Sequence, residues 1–537
     1  MTTKKIVGVG LGLTGFLVPW FVDLPGLNFA GEVTLGIFLL AGCFWVLEPV
    51  PIYTTSLLVI FLEVLLLSAE GPLYTMSRPP TVRPTTSATE PGLVVPATAL
   101  TNERFVLVDR AGTAPQQLEV EVLDRQGAQV RVRHANLSTN ELVWTTPDHW
   151  QATYRPTAYR NFFSALADPI IILFLGGCLL ADASVKYRLD RALTRLFLKP
   201  VGERPAMIVL GLLLATAVLS AFMSNTATTA MMMTVILPIL ARMPENDPSR
   251  IAVVLAIPVG ANIGGIATPI GTPPNAIALA ALQKAGIHIP FGTWVVMALP
   301  VVLITLVLCW VLLIRLFPAS STAVKLDLEG RFDRSSKALT LYGVFGLTAL
   351  LWFTEQQHGI SSNIVAFLPV VALPMLGVVG KKEIHGLPWD VFWLMGGGIS
   401  LGTAIRDTGL AQWMVGSVNW SMLGAFAILA GLALFAFFMA NFLSHTVTVT
   451  LLAPIAISLG ASGQAGPEFS LASVLVTIAV ASSYGMTLPI STPPNAIAMG
   501  SGILETRHLV KAGGIIGIGG MVLVLLFARY YWPLFVR

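Results

Sequence analysis

The chain alternates long apolar runs with short polar breaks, and runs of roughly 18 or more apolar residues predict membrane-crossing helices. They fall at about 6–22, 31–48, 52–69, 166–184, 294–316, 338–353, 363–379, 389–405 and 513–532. Two longer runs, about 205–241 and 422–459, carry polar residues at their middle: Ser224-Asn225-Thr226 and Ser444-His445-Thr446. Basic residues flank the first, Arg204 before it and Arg242 and Arg250 after it. A single crossing would put those ends on opposite sides, so a re-entrant hairpin with the polar motif at its tip is predicted. Two further runs, about 251–284 and 470–500, are interrupted at Gly271-Thr272-Pro273-Pro274-Asn275 and Ser491-Thr492-Pro493-Pro494-Asn495. They read as broken spans, which brings the expectation to about eleven spans and two hairpins.

The polar motifs recur at one offset. Ser444 lies 220 residues after Ser224, Asn495 220 after Asn275, and Gly396-Gly397 220 after Gly176-Gly177. An odd number of spans between the copies makes them inverted repeats. With the N-terminus cytoplasmic, the basic loops after the fourth, sixth and eighth spans fall inside, among them Arg315, Lys325, Arg331, Arg334 and Lys337, and Lys381-Lys382. Lys186, Arg188, Arg191, Arg195, Lys199 and Arg204 form a basic amphipathic stretch suited to the cytoplasmic surface.

Residues 70–158 break the pattern. Phe105 and Leu107, then Leu118, Val120 and Val122, then Val130 and Val132 alternate with polar residues. With a turn at Asp124-Arg125-Gln126-Gly127, they predict a small β-rich insertion outside the cell membrane. Asn136-Leu137-Ser138 has the glycosylation spacing. The chain thus divides into N-terminal scaffold helices (1–69), the insertion (70–158), a first repeat (159–320) and a second (321–537).

Composition agrees. Of 537 residues, 55% are apolar and 11% charged, against about 25% charged in soluble domains. The formal net charge of +4 gives no reason to expect nucleic acid. Cys43, Cys178 and Cys309 lie in apolar runs without metal-like spacing, so no cofactor is expected of them. No intramembrane His/Asp/Glu cluster or nucleophile–base pair suggests an enzyme, and a channel would need a continuous polar lining.

In hydrocarbon every backbone N–H and C=O needs a partner, so a double proline is costly unless the break lines a polar cavity. Pro273-Pro274 removes two donors and ends the helix. The freed carbonyls suit a small hard cation, and half-helix N-termini with Ser, Asn and Thr side chains suit a carboxylate. One Ser or Thr in a membrane helix usually bonds its own backbone. Packing alone gives no reason for two matched pairs of motifs.

Ser224-Asn225-Thr226, Thr272-Pro273-Pro274-Asn275-Ala276-Ile277-Ala278 and Thr492-Pro493-Pro494-Asn495-Ala496-Ile497-Ala498 resemble the signatures of the divalent anion/sodium symporter family. The resemblance spans the chain except about 70–158. It implies an all-α polytopic protein of the cell membrane, forming homodimers in which a mobile domain works by an elevator motion against a scaffold. It further implies sodium-coupled transport of dicarboxylates such as succinate, malate, fumarate or 2-oxoglutarate, with citrate, sulfate or sodium-independent exchange as alternatives. The first sodium site would use Ser220, Ser224, Asn225 and the backbone at Gly271. Substrate would meet Ser224, Asn225 and Thr226 on one side and Ser444, His445 and Thr446 on the other, with Thr272-Pro273 and Thr492-Pro493 closing the site.

The second half departs from the family. His445 stands where Asn is usual and Ala440 where a hydroxyl is usual. Two side-chain oxygens of the second sodium site are gone; Ser444, Thr446 and the backbone near Ser491 remain. A protonated His445 would supply a fixed charge in place of an ion. Moving it across an empty cycle would cost at least about 2–3 kcal/mol, favouring exchange; a neutral, hydrogen-bonding imidazole is the other reading. His288, His358, His385 and His508 fall in predicted loops, where exposure is expected.

Overall fold

The computed structural model describes residues 3–22, 29–68, 158–324, 332–416, 423–462 and 469–536, a few single positions between them, and the backbone of six strands between 93 and 154. Lys325, Arg331 and Asn136-Leu137-Ser138 lie outside the described residues. Seven helices among the described residues are long and apolar enough to cross a membrane, and several shorter apolar ones accompany them. The protein is a helical, multi-span membrane protein.

The chain forms two compact units. The first comprises Met1–Leu166 and Gly396–Asn419. In it α1 (Thr3–Phe21) lies along α2 (Phe29–Leu47), α2 packs on α3 (Ile52–Leu67), and α3 packs on α4 (Tyr159–Ser164). Trp45 Nε1 donates to Ser56 Oγ at 3.3 Å, and Ser400 Oγ donates to the buried Glu63. Strands β1 (Leu93–Val94), β2 (Arg104–Asp109), β3 (Gln116–Gln126), β4 (Gln129–His134), β5 (Val143–Thr145) and β6 (Trp150–Tyr154) form one sheet in the order β1-β6-β2-β3-β4-β5. Gln126 pairs with Gln129. Asp124, Arg125 and Gln126, expected in a turn over 124–127, continue the strand instead.

The second unit, Ala167–Met395 and Trp420–Arg537, holds every polar motif. Its helices are α5 (Pro169–Lys186), α6 (Leu189–Leu198), α7 (Pro205–Ser220), α8 (Asn225–Ala241), α9 (Ser249–Gly264), α10 (Pro273–Lys284), α11 (Phe291–Leu316) and α12 (Ser336–Phe353). After the short α13 (Phe367–Met375) come α14 (Ala425–Phe442), α15 (His445–Ser462), α16 (Leu471–Ser483), α17 (Pro493–Met499) and α18 (Thr506–Tyr530). Prolines open α7, α10 and α17, where a missing N–H costs nothing. The run expected at 363–379 is split, with a single helical turn at Ser362–Val365 ahead of α13.

The broken helices form the core. Residues of α9 and α16 are buried all round, whereas most of α12 faces outward, the pattern of a peripheral helix in lipid. Close approach of α9 to α7 depends on glycine: a Cβ on Gly260 would sit 2.9 Å from Leu213 O, and one on Gly264 would collide with the backbone of Ala217. The amphipathic α6 buries Ala192, Thr194 and Leu198 while exposing Arg191, and Lys199 just past its end is exposed too. Among the minor histidines, His288 and His385 are exposed, but His358 and His508 are half-buried. His358 Nε2 meets Leu351 O at 2.8 Å, and His508 lies in the first turn of α18 rather than in a loop.

Ahead of α9 the carboxylate of Asp247 is buried. It accepts from Ser249 N at 2.9 Å and Oγ at 2.7 Å, Ser320 N at 3.2 Å, and Ser321 N at 3.0 Å and Oγ at 2.6 Å. Burial alone would raise its pKa. The hydrogen bonds from Ser321, Ser249 and Ser320 outweigh burial and hold it far below the usual carboxylate range.

Candidate functional site

Each hairpin turns over within a few residues. Between α7 and α8, Ser224 is the N-cap, and its Oγ accepts from Ala227 N at 3.2 Å. Ser444 does the same between α14 and α15, accepting from Val447 N at 3.2 Å. The serines thus organise helix starts whose first N–H groups have no intrahelical partner. Thr226 is exposed, and Ser224, Asn225, Ser444 and Thr446 are half-buried.

The broken helices solve the donor shortage of the double prolines with an asparagine. Asn275 Nδ2 donates to Gly265 O at 3.0 Å and Thr268 O at 2.8 Å. Asn495 Nδ2 donates to Met486 O and Leu488 O, both at 2.9 Å. The carbonyl seven residues upstream is held in both breaks. The hairpins are tied in as well. Thr268 Oγ1 donates to Ala221 O, and Thr487 N donates to Asn441 Oδ1 at 2.9 Å. Thr272 and Thr492 are buried at the N-caps of α10 and α17, while Pro273 is half-buried and Pro493 exposed.

The two halves interlock. Helix α10 packs on α15 and α16, and α17 packs on α8 and α9. The motifs from positions 220 residues apart therefore share one region of the second unit.

Around Asn225 the structure gathers oxygens. Ser220 Oγ lies 2.6 Å from the amide and 2.9 Å from Ala261 O. The same end of the amide is 3.2 Å from Gly271 O and 3.2 Å from Ala261 O. With its nitrogen toward them the amide shares its two hydrogens among the three; with its oxygen toward them it accepts from Ser220 Oγ and makes a four-oxygen set of the kind that suits a cation. Hard oxygen donors of this kind fit sodium. Of the residues expected there, Ser220, Asn225 and Gly271 come together, while Ser224 turns its hydroxyl to the helix end. The Ala261 carbonyl went unseen in the sequence. The small residues that bring α9 against α7, Gly260 and Gly264, were the available signal.

The second half lacks that gathering. His445 is buried, with Nε2 3.0 Å from Gly485 O, a contact that occupies one ring N–H. Ser491 Oγ donates to Leu488 O at 2.7 Å, so Ser444 and Ser491 turn to different partners. Among the described residues no group of three His, Cys, Asp or Glu side chains gathers to hold a metal.

Hairpins meeting interrupted helices in a buried, oxygen-lined centre define a multi-pass membrane transporter. The solved structure of Neisseria gonorrhoeae MtrF matches at a TM-score of 0.50 and 12% identity, covering 75% of this chain and 90% of that one; the likeness is one of fold alone. The model of the sodium:sulfate symporter transmembrane region matches residues 141–537. An uncharacterized transporter of Haemophilus influenzae is 32% identical over 388 residues, 68% of this chain and 82% of that protein. The sodium-dependent dicarboxylate transporter SdcS of Staphylococcus saprophyticus is 29% identical over 403 residues, 68% of this chain and 76% of that protein. The chain belongs to the divalent anion/sodium symporter family.

Proposed function

We propose that the protein is a secondary active transporter of C4–C5 dicarboxylates, of the succinate, malate, fumarate and 2-oxoglutarate type, coupled to sodium through one site. The observation that carries the reading is the interlocking of α10 with α15 and of α17 with α8. In this reading the two serine-capped helix N-termini face a common centre suited to a guest negative at both ends. The names of the staphylococcal relatives support the same substrate class.

In this reading Ser224, Asn225, Thr226, Thr272 and Pro273 receive one carboxylate, and Ser444, His445, Thr446, Thr492 and Pro493 the other. Sodium is held by Ser220 Oγ, the Asn225 amide and the carbonyls of Ala261 and Gly271. The chain crosses the membrane about eleven times in inverted repeats, N-terminus inside and 70–158 outside as a β-rich module. It works as a homodimer by an elevator motion, and it transports rather than catalyses. Sodium-independent exchange is the second reading, favoured by the imidazole that replaces oxygens in the second half.

Labelled succinate in proteoliposomes decides between them. Uptake into empty vesicles driven by a sodium gradient is expected. Uptake only into vesicles preloaded with dicarboxylate would establish exchange, and no uptake of any dicarboxylate would overturn the assignment.

A further inference from the structure

Asn262, on α9, belongs to neither polar motif, yet it reaches across to the second one. It is 1% exposed, and its Nδ2 donates to Thr492 Oγ1 at 3.4 Å. The same oxygen accepts from Asn495 N at 3.2 Å. A hydroxyl has two lone pairs and one hydrogen. With both lone pairs facing N–H donors, only the O–H remains to be used, so Thr492 is held as a donor. That is the polarity a carboxylate oxygen requires, since an ionised carboxylate only accepts.

The first half has no such device. Thr272 opens α10 without a side-chain capping bond. The residue 220 positions after Asn262 is Ser482, whose Oγ donates to Ala479 O at 2.8 Å and stays within its own helix. Asn262 Oδ1 is buried with no hydrogen-bond partner. The contact with Thr492 is therefore the hydrogen bond that the amide makes.

We propose that Asn262 is a positioning residue of the anion site: it fixes Thr492 as hydrogen-bond donor to one end of the guest and so gives the site a preferred end. The inference rests on the transport reading above and adds to it a source of discrimination among dicarboxylates whose two ends differ. Succinate, with like ends, is received the same way round in either orientation; malate is not.

The test is initial-rate uptake of labelled succinate and malate into proteoliposomes, with thermal stability measured on the same preparations. Asn262→Asp keeps the side-chain shape and, ionised, offers only acceptors, so Thr492 turns its hydrogen toward it; uptake is therefore read across pH. The Asp variant is expected to raise KM about tenfold at unchanged maximal rate and to change the succinate-to-malate preference. Asn262→Ala, which removes the donor without adding an acceptor, is expected to raise KM less, and it serves if the Asp variant fails to fold. Thr492→Val is expected to raise KM too, and its combination with Asn262→Asp to add nothing further. Additive effects, or variants that lose stability while keeping KM, would make Asn262 a structural link only and overturn the proposal. Wild-type protein that takes up sulfate and no dicarboxylate would fail the dicarboxylate reading instead. The same KM comparison with labelled sulfate then decides the role of Asn262, because a fixed donor serves any oxyanion.

Discussion

At the first break a serine hydroxyl, an amide and two carbonyls crowd one another; at the second, an alanine and an imidazole occupy the corresponding positions. Both breaks are nevertheless held open by the same asparagine bond to the carbonyl seven residues upstream. The architecture of the interruption and its ion chemistry are therefore separable. The asparagines replace the donors that the prolines remove, a need set by the backbone in any half. The oxygens around Asn225 gather in one half alone among the described residues.

The comparison breaks most easily at Asn225. Asn225→Ala removes the one side chain that touches all three neighbouring oxygens, and sodium-driven uptake is expected to fall about 100-fold or more, with binding of sodium lost in parallel. Unchanged sodium dependence would mean that the ion sits elsewhere. Rebuilding the missing oxygens is the sharper version. In the double variant His445→Asn with Ala440→Ser, the sodium dependence of uptake is expected to become steeper than first order. A first-order curve in that variant would show that the imidazole is not what separates the halves.

Two predictions concern stability. Asn275→Ala and Asn495→Ala each remove two hydrogen bonds to backbone carbonyls, and each is expected to cost about 2–4 kcal/mol, seen as a similar fall in melting temperature in both halves. An effect in one half only would undo the shared-scaffold argument. Smaller in reach is Asp247. Its lowered pKa means that its contribution is present above the unfolded carboxylate value of about 3.9 and is lost as pH falls through the folded value. Asp247→Asn is expected to lose about 1–3 kcal/mol at neutral pH and to flatten the acid limb of a thermal-stability profile. A profile that keeps its acid limb would place that titration elsewhere.

Apolar runs and proline pairs made the placement of helices, hairpin turns and breaks readable, because hydrocarbon penalises any polar backbone left without a partner. The like roles of Ser224 and Ser444, and of Asn275 and Asn495, were readable too, from their constant offset. The Ala261 carbonyl was not, since a backbone oxygen carries no residue identity and its aim depends on how α9 lies against α7. Nor was the direction of the Asn262–Thr492 bond, which joins residues 230 positions apart. His445 was conspicuous in sequence, but only the fold shows that its ring is already engaged by Gly485. The strand turn slipped because Asp124, of a type common in turns, extends β3 instead.

The carboxylate of Asp247 fastens the foot of the first hairpin and the start of α9 to the segment leaving α11. Any displacement of that hairpin must drag the end of α11 with it as ballast. A spectroscopic reporter near Ser320 would consequently register any shift of a hairpin whose tip it never touches.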